Sequence, residues 1–167
     1  MGMDFRFNQL RQVMKVQCQE EAPWFREVQD GLNWFAYCVN SKCKAFKQLV
    51  VSNRGFGIFK LEQEINDFAC PVCNNSQYEL RNMGFVNCEW AIKGALKPNN
   101  NSKIFVDGQT FDKKLYTFKE TDYKSSFEYL NIFVKKRADG LFDNNENEDP
   151  NEPEHPEMPD NLLLKKG

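Results

Sequence analysis

The pattern of apolar and polar positions changes twice along the chain of 167 residues, at Pro23 and at Arg137. Before Pro23 the apolar residues follow the period of a helix. Four of them share one helical face: Phe7, Leu10, Met14 and Cys18. Asp4 suits the N-cap position, and Pro23 ends the pattern. The sequence therefore predicts an amphipathic helix within residues 1–22, which either covers the edge of a domain or binds a partner.

Between residues 23 and 137 the pattern is that of short β-strands. Apolar and aromatic side chains recur in short runs, separated by Gly, Asn and Asp, which is typical of strands and turns. Seven runs have this character: residues 33–37, 46–51, 58–61, 84–92, 104–106, 115–118 and 129–134. Asp107-Gly108 predicts a hairpin turn, and we expect Glu62 and Glu64 to be solvated on a strand. The prediction is a mainly β fold of antiparallel strands with an N-terminal helix.

Residues 138–167 differ from the rest in being rich in Asp, Asn, Glu and Pro, with nine acidic and two basic side chains. Such a segment cannot bury enough apolar surface to offset the entropy lost on ordering. We therefore expect a disordered acidic tail. Leu162-Leu163-Leu164 near its end is either an ordinary terminus or a short docking motif.

Charge and composition argue against several classes of function for this chain. The net charge of −2 combines the acidic tail with a basic body, because residues 23–137 hold seventeen basic and twelve acidic groups. With His155 as the single histidine, the chain is poorly equipped for catalysis that depends on imidazole. Gly55-Phe56-Gly57 lacks the Lys-Ser/Thr that follows the glycines of a phosphate-binding loop. No apolar run approaches the ~20 residues of a membrane span, and no signal pattern opens the chain. We expect a soluble, non-enzymatic protein of the cytoplasm or nucleus.

Four cysteines have the spacing of a metal site. Cys38 and Cys43 enclose four residues, Cys70 and Cys73 enclose two, and 26 residues separate the pairs. Zinc takes four ligands tetrahedrally, and two thiolates on one tight turn can share it without strain, whereas disulfides are rare in a reducing compartment. The sequence predicts one structural Zn²⁺ in a small zinc-ribbon-like or treble-clef-like β module, extended by further antiparallel strands. In that module residues 44–69 form a β-hairpin.

Other interpretations stay open for individual cysteines. The run from Cys70 to Cys73 alone has the spacing of a redox dithiol, but such a motif opens a helix, whereas residues 74–76 predict a loop. We expect Cys18 to be buried and inert. Cys88 is a core residue, a replacement ligand or part of a second site, and we favour packing in the core or beside the zinc.

A series of landmarks covers residues 23–136. In chain order they are Trp24, Gly31-Leu32-Asn33, Cys38-Val39-Asn40-x2-Cys43, Gly55-Phe56-Gly57-x-Phe59, Cys70-Pro71-Val72-Cys73, Gly84-Phe85-x-Asn87-Cys88-x-Trp90, Tyr116-x-Phe118 and Leu130-x-Ile132-x-Val134. In combination they resemble a cysteine-rich zinc-binding module that follows ubiquitin-like domains in protist and some fungal proteins. That family usually has a cysteine where this chain has Met83, so any second site pairing this position with Cys88 cannot form here. The resemblance implies the module boundaries and the zinc site, and no enzymatic activity.

These features favour a non-catalytic protein-interaction module, a small subunit or adaptor of a larger assembly. The alternative is an RNA- or DNA-binding zinc protein, whose aromatic side chains stack on bases while basic ones contact phosphate. The candidate basic contacts lie near the first cysteine pair: Lys42, Lys44, Lys47 and Arg54. The acidic tail would compete with phosphate for them. The resemblance adds a ubiquitin-pathway accessory role as a third hypothesis.

Overall fold

The computed structural model describes residues 3–5, 13–18, 21–96, 103–120, 125–137 and 163–164. Strands dominate this part of the chain, which confirms the mainly β class. The elements in chain order are β1 (Met3–Phe5), β2 (Val13–Val16), a 3-10 turn (Trp24–Arg26), β3 (Glu27–Val28), β4 (Gly31–Cys38), β5 (Leu49–Gly55), β6 (Gly57–Lys60), α1 (Leu61–Asp67), β7 (Tyr78–Val86), β8 (Glu89–Leu96), β9 (Lys103–Gln109), β10 (Leu115–Phe118), β11 (Ser125–Lys135) and β12 (Leu163–Leu164).

The strands form two five-stranded antiparallel sheets. The first sheet has the order β1-β11-β8-β9, with β6 also paired to β11, and the second has the order β2-β10-β7-β4-β5. β3 and β12 form a separate parallel pair. The two cysteine pairs both belong to connections of the second sheet, one after β4 and one before β7.

The main hydrophobic core combines side chains from both sheets. Its largest members from the second sheet are Trp34, Phe85 and Phe118, and those from the first are Ile92, Phe127 and Ile132. Phe85 stacks on Trp90 with ring centroids 4.6 Å apart and an interplanar angle of 5°. Such aromatic pairs add to the stabilisation that burial alone gives. A smaller cluster on the other side of the second sheet includes Phe35 and Leu115, so this sheet is buried on both faces.

The predicted hairpin between the cysteine pairs does not form. β5 pairs with β4 in the second sheet, whereas β6 pairs with β11 in the first. Gly55 and Gly57 make this change of sheet possible, because their φ angles of 77° and 144° are accessible to glycine and costly for other residues. Residues 44–69 thus link two sheets, and the zinc-ribbon architecture is not confirmed.

The predicted N-terminal helix is wrong in the part of residues 1–22 that the structure describes. Met3–Phe5 is a strand on β11, and Val13–Val16 is a strand on β10. Burial explains the second of these, because Val16 is fully buried against the second sheet while Val13 is exposed. The spacing of apolar residues suits a helix as well as it suits two short strands, and tertiary pairing decided between them.

One predicted strand and one predicted turn also need correction. The run 84–92 is not one strand, because a turn at Asn87, with φ of 51°, separates β7 from β8. The turn predicted at Asp107-Gly108 lies inside β9, where Gly108 pairs with Trp90. A β-carbon on Gly108 would lie 2.4 Å from the Trp90 ring, so the glycine serves close packing there instead of a turn.

The acidic tail falls mostly outside the described residues. Residues 138–162 and 165–167 are not among them, so disorder there stays a prediction. Leu163–Leu164 are described, and they pair in parallel with Glu27–Val28. At these two positions the chain forms a strand, contrary to the predicted disorder of the whole segment, and whether the leucines dock on a partner stays a prediction.

Glu64 on α1 is buried, contrary to the expectation that it is solvated. Only 5% of its surface is exposed, and the Arg54 guanidinium contacts both carboxylate oxygens, Nε to Oε1 at 3.0 Å and Nη2 to Oε2 at 2.8 Å. The Trp34 indole N–H also donates to Oε1 at 3.4 Å. These contacts join α1 to β4 and β5, and so fix the segment that leads to Cys70.

Removal of Arg54 tests this anchor. Arg54→Ala leaves the Glu64 carboxylate buried without its cation, and we expect the free energy of unfolding to fall by about 2–3 kcal/mol. The figure lies below the range for fully buried pairs because a third of the Arg54 side chain is exposed. Urea denaturation measures it, with Lys44→Ala, an exposed cation on the first cysteine turn, as control. Equal stability of the two variants would contradict a structural role for the ion pair.

Candidate metal centre

The antiparallel pairing of β4 with β7 brings the two cysteine turns together. Cys38, the last residue of β4, lies opposite Tyr78, the first residue of β7. The turn after β4 and the turn before β7 therefore meet at the same end of the second sheet. Phe68 packs on Tyr78 with ring centroids 4.1 Å apart, which holds the end of α1, and hence the approach to Cys70, against this end of the sheet.

The first turn, residues 38–47, is closed by backbone hydrogen bonds. Cys43 N–H donates to Asn40 C=O at 3.0 Å, and Lys47 N–H donates back to Cys38 C=O at 2.8 Å. Lys47 adopts a left-handed conformation with φ of 61°, which reverses the chain into β5. The Asn40 side chain accepts from Lys42 N–H at 3.1 Å. These bonds hold the two sulfur-bearing residues of the turn at a fixed separation.

The second turn, residues 70–75, has a similar construction. Asn74 N–H donates to Cys70 C=O at 2.8 Å, and Cys70 N–H donates to Asn75 C=O at 3.0 Å. Asn74 takes the left-handed conformation with φ of 57°, a role that asparagine fills better than most residues. The loop predicted after Cys73 is thus present, and the helix that a redox dithiol expects after its motif is absent from this described segment.

The four sulfur atoms form a compact cluster that can hold a metal ion. All lie within 4.8 Å of one another, and Cys38, Cys43 and Cys70 are buried. Sγ of Cys38 is 3.8 Å from that of Cys73, and Sγ of Cys43 is 3.9 Å from that of Cys70. A regular tetrahedron with metal–sulfur distances of ~2.3 Å has edges of about 3.8 Å. A disulfide needs about 2.05 Å, and all six cysteines are free.

Each of the four sulfurs also has a backbone N–H donor two residues further along the chain. Ala45 N–H donates to Cys43 Sγ at 3.3 Å, and the matching donors to the other three sulfurs are Asn40, Val72 and Asn75, with the Cys73 N–H as a further donor to Cys70. Such donors stabilise negative charge on sulfur. The two turns therefore present four ligands in an environment prepared for thiolates, as the outer contacts of metal sites commonly are.

The thiol pKa values show which protons a bound cation must displace. Burial raises the pKa of Cys38 to about 12, and burial also raises the pKa of Cys70. The pKa of Cys73 is lowered to about 6, chiefly by the Asn40 side chain. A bound divalent cation reverses the cost of burial because it deprotonates the thiols that coordinate it. The centre thus combines protonated buried thiols with one that is already ionised near neutral pH.

The other two cysteines lie outside this cluster. Cys88 is fully buried in the main core, and burial raises its pKa to about 12; its backbone N–H donates to the Thr110 hydroxyl at 3.0 Å. Cys18 packs at the edge of the smaller cluster, and burial raises its pKa to about 11. Packing is thus the observed environment of both, although Cys18 does not lie on a helix.

The four basic residues proposed for nucleic-acid contact lie in different surroundings. Lys42 and Lys44 are exposed on the first turn. Lys47 lies over the Phe46 ring, with Nζ 5.2 Å from its centroid. Arg54 is engaged with Glu64. The buried Glu64 anchor was missed by sequence reasoning, because α1 was predicted as part of a strand.

Comparison of the chain with protein-family models, with curated proteins and with solved structures finds no match. The resemblance to the cysteine-rich zinc-binding module that follows ubiquitin-like domains therefore stays a prediction. Among the residues the structure describes, no helix is long and apolar enough to cross a membrane.

Substitution of single cysteines separates ligands from core residues. Cys70→Ser should lose most of the bound zinc and lower the melting temperature, since metal binding in small domains contributes to folding free energy. Cys88→Ala should keep its full zinc content and cost about 1–2 kcal/mol as a core truncation. Metal analysis of freshly purified protein, together with denaturant unfolding, measures both. Zinc loss in the Cys88 variant alone would show that the four ligands are misassigned.

The thiol pKa values predict how zinc affinity depends on pH. Binding must displace protons from at least Cys38 and Cys70, whose pKa values are raised, so the affinity should fall by at least about 100-fold for each pH unit lowered near neutrality. Below about pH 6 protonation of Cys73 makes the fall steeper. Competition with a chromophoric chelator at several pH values measures the slope. An affinity independent of pH would contradict thiolate coordination by these residues.

Proposed function

We propose that the protein is a non-catalytic binding module in which one structural zinc ion, held by Cys38, Cys43, Cys70 and Cys73, stabilises the end of the second sheet. The observation that carries the proposal is the clustering of four cysteine sulfurs within 4.8 Å of one another, with the Cys38–Cys73 and Cys43–Cys70 separations at 3.8 and 3.9 Å. All-thiolate tetrahedral sites are characteristic of structural zinc.

The composition of the centre supports a structural role over a catalytic one. A catalytic zinc keeps one position for water or substrate, whereas four protein ligands complete the tetrahedron. Three of the four sulfurs are buried, so a substrate has little access to the ion. The metal instead fixes the first turn to the second and offsets the cost of burying three thiols at one place.

The role we assign to the module is that of a small subunit or adaptor that binds a protein partner. A rigid, metal-stabilised β scaffold is suited to presenting a preformed surface, and preorganisation reduces the entropic cost of association. Large apolar side chains outside the cysteine cluster are exposed, Trp24 at 63% and Phe111 at 67% among them. A cytoplasmic or nuclear location and a ubiquitin-pathway role stay predictions.

Affinity purification from native extract tests the adaptor role. We expect the tagged full-length protein to retain a stoichiometric protein partner after nuclease treatment and washing with salt, because an interface with an apolar core tolerates salt. The matched control is Cys70→Ser, in which loss of the metal centre should abolish retention. Recovery of no partner, or of nucleic-acid-dependent material only, would contradict the adaptor role while leaving the structural zinc centre intact.

A further inference from the structure

The outer face of the first sheet carries aromatic and basic side chains that the metal centre does not use. β9, β8, β11 and β6 lie side by side. The odd-numbered positions of β9, of β8 and of residues 129–135 in β11, together with the even-numbered positions of β6, lie on the face away from the core. We call this surface the open face and define it by these residues: Ile58, Lys60, Glu89, Ala91, Lys93, Lys103, Phe105, Asp107, Tyr129, Asn131, Phe133 and Lys135.

The register of the strands places the open-face residues in rows across the sheet. Phe105, Lys93, Asn131 and Lys60 are successive partners in one row. Asp107, Ala91, Phe133 and Ile58 form the next. Side chains two residues apart along a strand lie about 7 Å apart, and adjacent strands are about 4.8 Å apart. The aromatic rings thus occupy separate positions on one surface.

The aromatic and aliphatic groups of this face are unusually accessible. The exposed fractions are 56% for Phe105, 38% for Tyr129 and 67% for Ile58, while Phe133 is partly buried. A groove of about 750 Å³ runs beside Phe133 and Ile58, with Ala91 in its lining. Exposed aromatic side chains interleaved with lysines beside a groove make the open face a candidate binding surface.

The charges of the face favour a polyanion. Lys60, Lys93, Lys103 and Lys135 lie among the aromatic residues, against two carboxylates, and one of these, Glu89, is paired with Lys135 at 3.2 Å. Lys93 lies over the Phe105 ring with Nζ 5.6 Å from its centroid, which places a cation beside the most accessible phenylalanine of the face.

The same composition argues against a protein ligand at this surface. The cores of protein–protein interfaces are enriched in aromatic residues and depleted in lysine, whereas here lysines alternate with the rings. Accessible aromatic side chains interleaved with cations are the combination that binds single strands, because bases stack on the rings and phosphates contact the cations. A duplex keeps its bases stacked and cannot use the rings.

We propose that the open face of the first sheet binds single-stranded nucleic acid, with Phe105 as a stacking platform and Lys93 as a phosphate contact. This goes beyond the adaptor role, since it assigns a second ligand to a surface distinct from the metal centre. It also differs from a site at the first cysteine turn, because none of the open-face residues belongs to that turn.

Binding of a labelled single-stranded oligonucleotide of about 12 nucleotides to the full-length protein, followed by fluorescence anisotropy, tests the proposal. We expect binding at about 50 mM salt and a roughly 20- to 50-fold loss of affinity at about 200 mM, as displaced counterions from three or four phosphate contacts require. Phe105→Ala should weaken binding about tenfold, Phe105→Tyr should preserve it, and Lys93→Glu should weaken it and reduce the salt dependence.

Matched controls lie outside the open face. Phe111→Ala removes a phenylalanine that is more exposed than Phe105, and Lys42→Glu makes the same charge change on the first cysteine turn. Both variants should bind as the unmodified protein does. Absence of binding at the lower salt, equal losses in the controls, or equal affinity for a duplex would overturn the proposal. Equal competition by a polyglutamate peptide would overturn it in favour of an acidic protein ligand.

Discussion

The structure depends on bringing four cysteine sulfurs together at one end of an antiparallel sheet. Burial makes ionisation of Cys38 and Cys70 unfavourable, since it raises the pKa of both thiols. Such protonated thiols gain little from their own contacts, and a tetrahedral cation bound to all four sulfurs would convert the cluster into a strong cross-link. The two turns are short and internally hydrogen-bonded, so binding the ion costs little further ordering.

The same segment that joins the cysteine turns also joins the sheets. Between Cys43 and Cys70 the chain contributes β5 to the second sheet, crosses at Gly55 and Gly57, and contributes β6 to the first. β6 then provides Ile58 to the open face, and α1 returns the chain to the metal centre through the buried Glu64. A metal ion bound by the four cysteines would thereby close a loop that includes one edge of the proposed ligand surface.

The sequence predicted the local chemistry of the site better than it predicted the fold. The spacing of the four cysteines is enough to identify them, because each pair lies on one short turn, and the structure brings all four together. The mainly β class followed from residue type and alternation. Leu115–Phe118 is a strand with the predicted bounds.

The failures have a common physical origin in long-range pairing. A helix was predicted where Val13–Val16 joins β10, since short apolar spacings do not distinguish a helix from two edge strands. Asp107-Gly108 suits a turn, yet the glycine is required by the Trp90 ring across the strand pair. The pairing of Leu163–Leu164 with β3 joins positions more than 130 residues apart, and no local pattern encodes such a contact.

X-ray absorption spectroscopy of the zinc-loaded protein tests the central claim most directly. If the four cysteines close a structural centre, the spectrum must show four sulfur scatterers at about 2.3 Å from zinc and no nitrogen or oxygen neighbour. Three or fewer sulfurs, with a nitrogen or oxygen atom at about 2.0 Å completing the shell, would contradict it. That result would mean that the ion has an open position or a ligand outside the cysteine cluster.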